Sequence, residues 1–161
     1  MTSLSKSLIE REIASLRPYA RNARTHSKKQ IRQIAGSIER FGFANPVLVS
    51  DDGEIIAGHG RVEAAKLIGM KAVPTLALSH LSKAERRAYV LADNKLAQNA
   101  GWDNEGLAIE LQARIDLTFE LDTTGFSLAE TDISMNEACR DHPAAATAPG
   151  AAMPAHGQVP P

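Results

Sequence analysis

The chain has 161 residues, 43% of them hydrophobic and only 4% aromatic, which suits one domain whose core rests on Leu, Ile, Val and Ala. A single cysteine, Cys139, excludes an internal disulfide, no run approaches the about 18 apolar residues of a membrane span, and the first fifteen residues lack the apolar run of a signal peptide, so a cytoplasmic protein is expected. The formal net charge of −1 hides an asymmetry: residues 1–90 carry 15 Lys/Arg against 8 Asp/Glu, and residues 91–161 carry 3 against 11.

Taken in chain order, Leu8 to Ala14 alternates loosely and reads as an edge strand. Pro18 and Asn22 then mark a loop that carries an acid-free basic stretch, Arg17, Arg21, Arg24, Lys28, Lys29 and Arg32. Ser27 is an N-cap candidate with Gln30 at the capping-box position, and Ile31, Ile34, Ala35, Ile38 and Phe41 recur at helical spacing up to Gly42. Pro46–Ser50 and Glu54–Ala57 flank Asp51-Asp52-Gly53, which predicts a β-hairpin. A short helix follows, with Val62, Ala65, Leu67 and Ile68 on its apolar side and Gly69 as its stop. Ala72–Leu78 reads as a strand in which Pro74 favours an edge or a strand start. Ser82 and Glu85 form a second capping box for a helix with Ala88, Leu91, Ala92 and Leu96 on its apolar side. Gly101 breaks it, and Asn104 caps a helix with Leu107, Leu111 and Ile115 inward. Thr123-Thr124-Gly125 reads as a turn and Phe126–Ile133 as a short helical piece. Residues 141–161 hold seven Ala, five Pro and two Gly and almost no large apolar side chains, so they are expected to be disordered.

The unit that carries chemistry is strand, Gly58-His59-Gly60-Arg61, helix. Glycines on both sides of His59 allow a sharp turn and close approach of a ligand. The following helix offers unpaired N–H groups and the positive end of its dipole. Arg61 adds a planar cationic fork matched to phosphate oxygens, and His59 can donate to phosphate or, when neutral, accept a proton. Together these residues describe an anion site. They also describe a tight strand-to-helix turn with an exposed histidine, and the residues alone leave both readings open. The pattern is neither a Walker loop nor a dinucleotide fingerprint. His26 and His80 have no second ligand at metal-binding spacing.

The order of SLRPYARNARTH, a helix ending RFGFANPVLVS, and DGEIIAGHGRVEAAKLIGMKAVPTL resembles the ParB/sulfiredoxin superfamily over residues 8–100, with Ile-x-Ala-Gly-x-x-Arg-x-x-Ala-Ala from Ile55 to Ala65 as its most specific part. More narrowly the chain is similar to ParB-like N-terminal domains, including those found ahead of phage-type DNA methyltransferases. The resemblance implies an α+β fold, a small mixed sheet with a hairpin and packed helices, over residues 1–100; the residues beyond it read as a helical extension over 101–140 and the tail over 141–161. It implies that Gly58, His59, Gly60 and Arg61 bind nucleotide phosphates and that Arg24 helps surround the nucleotide. It sets Asp93-Asn94 where ParB proteins show Glu-Asn, a pair tied to the nucleotide's magnesium, with Gln98 a loose match beyond it. Partition ParB proteins usually have Gly-Glu-Arg-Arg at the turn, so His59 and Gly60 depart from the pattern and leave CTP or ATP as the implied ligand. Sulfiredoxins need a cysteine in the turn, and none stands here.

The functional expectation is a nucleotide- and DNA-associated binding module acting in DNA partition or DNA modification, with DNA contacted by Arg17, Arg21, Lys28, Lys29 and Arg32, and with a homodimer as a further partner state. A nuclease, nucleotidase or phosphotransferase on the same scaffold is the alternative, with His59 and Glu54 as its catalytic candidates. An accessory piece of a DNA methyltransferase is another. Residues 82–133 show no basic recognition helix, so sequence-specific DNA reading by this chain alone is not expected.

Overall fold

A computed structural model of the chain, describing residues 7–116 and 124–141, is organised by a four-stranded sheet with apolar side chains on both faces. Strands β1 (Leu8–Glu12), β2 (Val47–Val49), β3 (Ile55–Ala57) and β4 (Ala72–Ala77) lie in the order β1-β4-β2-β3. β1 is antiparallel to β4, β4 is parallel to β2, and β2 and β3 form the expected antiparallel hairpin. Its turn is closed by Ser50 N–H donating to Glu54 O at 2.9 Å and Gly53 N–H to Ser50 O at 3.0 Å. β1 is the edge strand the alternation predicts, cut short because Ile13–Ser15 coil into a 3-10 turn.

Pro74 differs from expectation. It stands third in β4, an interior strand, opposite Glu10 of β1. The pairing of β4 with β2 covers only Thr75–Ala77, so at Pro74 one flank of the strand has no ladder and the missing N–H is tolerated.

Alternate residues of the strands supply two cores. Val47, Val49, Ile55 and Val73 meet Val62 and Ala65 of helix α2 (His59–Leu67), with Ile13 and Leu16 at the margin. The five valine and isoleucine side chains of this set are at most 2% exposed, and each stabilises the fold by roughly 1.5–3 kcal/mol. Ile56 points the other way and packs with Leu78 against Val90 of helix α3 (Lys83–Asn99), flanked by Tyr19, Leu48, Leu81 and Tyr89. Helix α1 (Lys28–Phe41) lies against α2.

The caps hold with one change. Ser82 and Glu85 form the complete box. Ser27 accepts from Gln30 N–H at 3.1 Å, but the Gln30 side chain turns to His26 instead of closing the box. The apolar side read for α3 is the wrong face: Leu91 and Leu96 are exposed, as are Ala88 and Ala92, and the inward stripe is Arg86, Val90 and Asn94. In α2 Leu67 is exposed and Ala64 is buried in its place.

Helices α4 (Asn104–Asp116) and α5 (Leu128–Asp141) pack on each other, burying Leu111 and Thr131. Ile115, read as inward, is exposed. α5 runs well past the expected Ile133, from a start at which Ser127 N–H donates to Glu130 Oε2 at 2.8 Å and Ser127 Oγ accepts from Glu130 N–H at 3.3 Å. Thr123 and, from residue 142 onward, the tail expected to be disordered lie outside the described residues. Among the described residues no helix is long and apolar enough to cross a membrane.

Candidate functional site

β3 ends at Ala57 and α2 begins at His59, so His59, Gly60 and Arg61 form the first turn of the helix, where a free turn was expected. Gly58 is the N-cap residue, in the left-handed region at φ 103°, and contributes no capping side chain. The first amides of a helix have no intrahelical acceptor, and here they carry the positive end of the dipole to the edge of a cleft.

Arg61 completes that end. Its guanidinium folds back over Gly58, so that a Cβ on residue 58 would stand 2.9 Å from Nη2 and 3.2 Å from Nε. Nη2 donates to Pro46 O at 3.2 Å, while the buried Nε–H has no partner. A buried donor left unpaired costs about 1–3 kcal/mol. Burial lowers the pKa of this guanidinium from its ordinary value, and the Asp93 carboxylate opposes the shift.

His59 is committed differently from expectation. Tyr19 N–H donates to His59 Nε2 at 3.2 Å, which requires a bare Nε2 and places the proton of the neutral ring on Nδ1. Burial first, and the neighbouring His26 second, push its pKa down, with Glu63 opposing. The imidazole therefore pins the Tyr19 loop to the helix start, and only Nδ1 remains to meet a ligand.

The loop brings Arg24 to the same place. Asn22 Oδ1 accepts from Arg24 N–H and its Nδ2 donates to Arg24 O, both at 3.2 Å. Arg24 Nη1 donates to Asn94 Oδ1 at 3.2 Å, and Asn94 Nδ2 donates to Val90 O at 2.9 Å, which fixes the amide. Arg24, Arg61, Asp93 and Asn94, predicted from separate stretches, thus line one cleft of about 200 Å³ with the first turn of α2. His26 lines it too, a residue the sequence left unassigned. Its ring covers Gly60, where a Cβ would stand 3.0 Å from Cε1 and Nε2, and its Nδ1–H donates to Gln30 Oε1 at 3.1 Å.

The remaining candidates are dispersed. Glu54 lines a second cleft with Arg21, between the loop and α3. Arg17 pairs with Asp52. Lys28 and Arg32 line a groove beside α1 and α2, and Lys29 acts on Glu130 of α5. The basic stretch is contiguous in sequence but split over several surfaces. Among the described residues no group of three or more His, Cys, Asp or Glu is placed to hold a metal ion.

Two outcomes follow. Gly58→Ala forces a Cβ onto a left-handed residue and against Arg61, and is expected to destabilise the fold by roughly 1–3 kcal/mol in chemical denaturation. His59 binds a proton less readily folded than unfolded, so its contribution is present above the ordinary histidine value and is lost as pH falls below about 6.5. Melting temperatures measured downward from neutral pH are expected to fall more steeply for the native chain than for His59→Gln, and equal slopes would contradict this.

Comparison with known proteins adds the family. The ParB N-terminal domain model matches residues 2–95. ParB-like nuclease domain-containing protein YnaK of Escherichia coli is 49% identical over 80 residues, covering 50% of this chain and 92% of that protein. Stage 0 sporulation protein J of Bacillus subtilis is 31% identical over 123 residues, covering 73% of this chain but only 43% of its own length. The fold matches, at a TM-score of 0.65 and 23% identity over 80% of this chain and 77% of the other, the C-terminally truncated chromosome-partitioning protein ParB from Caulobacter crescentus complexed with CTP-gamma-S. With a mixed sheet and packed helices of the same fold and a family match over more than half its length, the chain belongs to the ParB N-terminal domain family.

Proposed function

We propose that this chain is a nucleotide-responsive, DNA-associated binding module that holds a nucleoside triphosphate by its phosphates at the first turn of α2. The unpartnered, buried Nε–H of Arg61, set beside the uncapped helix start, carries this reading. The Caulobacter relative of the same fold, complexed with CTP-gamma-S, supports it, and either CTP or ATP suits a phosphate site of this kind. Residues 1–100 form the binding unit in this reading, and 101–140 its helical extension.

Each residue has a distinct task. The amides of the first α2 turn and the Arg61 fork face the phosphates, as helix ends and guanidinium groups do for anions generally. His59 holds the Tyr19 loop in place. Arg24 reaches the cleft while bonded to Asn94, so a phosphate that engages Arg24 competes with the link between the loop and α3. That competition is the switch: occupancy of the cleft changes how firmly α3 is held, and with it self-association or DNA contact. Asp93, and Asn94 Oδ1 once Arg24 has released it, would hold a magnesium ion accompanying the phosphates. Such an ion would neutralise phosphate charge.

DNA partition is the setting that the name of the Caulobacter chromosome-partitioning protein supports, DNA modification is the other setting of this reading, and the acid-poor first ninety residues suit a phosphate-bearing partner. A hydrolytic reading on the same scaffold is favoured by the nuclease-domain name of the Escherichia coli relative. Glu54 stands in the other cleft, which leaves Asp93 as the acid lining the phosphate site in that reading.

Titration of the four ribonucleoside triphosphates, with and without magnesium, against the native chain and Arg61→Ala separates these readings. Binding in the micromolar range, about −8 kcal/mol, is expected for the native chain, with a loss of at least about tenfold in the variant. Equal and negligible binding by both proteins would overturn the proposal. Steady phosphate release that His59→Ala abolishes would establish the hydrolytic reading instead.

A further inference from the structure

A second cleft, of about 300 Å³, lies between the Tyr19–Arg21 segment and the first half of α3. Lys83, Arg86 and Arg87 enter it from α3 and Arg21 from the loop, against one acid, Glu54. Arg86 is the inner member. Its Nε–H is buried without a partner, and its Nη1 stands 3.8 Å from Asp52 Oδ1, at the outer limit of an ion pair whose carboxylate is already engaged by Arg17 and Ser50. Arg21, Lys83 and Arg87 form no salt bridge among the described residues. The acid closest in sequence, Glu85, is held back on its own helix end by Ser82 N–H at 2.8 Å. Cations gathered from two segments, one with a buried orphan donor, repel one another unless an anion joins them.

We propose that this cleft is a second phosphate site, and that it takes a backbone phosphate diester of a nucleic-acid strand. Guanidinium forks match phosphate oxygens in two-point geometry. The half-buried ring of Tyr19 lines the same cleft and offers a face to a sugar or base, as aromatic residues beside cations do in strand-binding grooves. Both features favour a nucleic acid over an acidic peptide. The two clefts adjoin at Ile56, but their cations are set apart: Arg86 and Asn94 are eight residues apart on α3, about 12 Å along its axis. The inference deepens the DNA-associated part of the proposed function and rests on it, but not on nucleotide binding at Arg61.

The test is fluorescence anisotropy of a short labelled DNA, single-stranded and duplex, with the full chain, the Lys83→Ala/Arg87→Ala variant and Arg61→Ala, across salt from about 50 to about 200 mM. Lys83 and Arg87 are exposed, so the double variant keeps the fold, which its melting curve checks. It is expected to lose about tenfold or more in affinity at low salt and to lower the salt slope by about two, in whichever DNA form supplies the phosphate, with triphosphate binding unchanged. A Lys83→Arg/Arg87→Lys exchange is expected to restore the affinity. DNA binding by the native chain that the double variant leaves intact would overturn this inference alone. No binding of either DNA form by the native chain would overturn it together with the DNA-associated reading. Equal loss of triphosphate binding, or displacement of DNA by polyglutamate as readily as by unlabelled DNA, would assign the cleft to another ligand and also overturn it.

Discussion

The arrangement depends on a backbone constraint at one residue. Gly58 leaves β3 in a left-handed conformation at φ 103°, and that sharp departure starts α2 at His59 and lets the Arg61 guanidinium lie back across the turn. Helix start and guanidinium therefore present donors to the same space without a side chain between them. The fold accepts an unpaired, buried Nε–H there, a cost of order 1–3 kcal/mol. Under the proposed function, a bound anion removes that cost.

The loop before α1 turns this local geometry into a connected system. Arg17 pairs its backbone with the free side of β3, its N–H donating to Gly53 O at 2.9 Å and its O accepting from Ile55 N–H at 2.8 Å. Two residues on, Tyr19 is tied to His59, then Arg24 to Asn94, and His26 covers Gly60. One segment thus touches the sheet edge, the helix start and α3, and separates two cationic clefts. In the cleft at the start of α2, His59 and Arg24 both line the site and hold the loop, so under the proposed function occupancy and loop position are linked by shared hydrogen bonds.

What was legible in the sequence is what local chemistry decides. The Asp-Gly hairpin, the Ser27 and Ser82 caps and the glycine-bounded helix start follow from residues within four positions of one another, and all are present. The motif resemblance gathered Arg24, Arg61, Asp93 and Asn94 for one site, and the fold brings them to one cleft. The misses share a cause. α3 has apolar residues on one side, yet it turns Arg86, Val90 and Asn94 inward: Val90, with Tyr89 beside it, meets the Ile56 core, and Arg86 and Asn94 line the two clefts. Pro74 is allowed inside a sheet by where β2 stops pairing, a fact of the partner strand. His26 gained its role from Gly60, thirty-four positions away, and nothing in its own neighbourhood announces that contact. The longer α5 is a different case: Ser127 and Glu130 are a local capping signal that the sequence did contain.

The central claim is that the first amides of α2 and the Arg61 side chain point at one anion. Backbone and guanidinium resonances of the full chain, followed by NMR during addition of inorganic pyrophosphate and then a nucleoside triphosphate, test it directly. The account predicts saturable shifts concentrated at His59, Gly60 and Arg61 Nε–H, with slowed solvent exchange of that Nε–H once the anion is bound. Shifts spread evenly over the basic surface, or an Arg61 Nε–H unchanged at saturation, would contradict it.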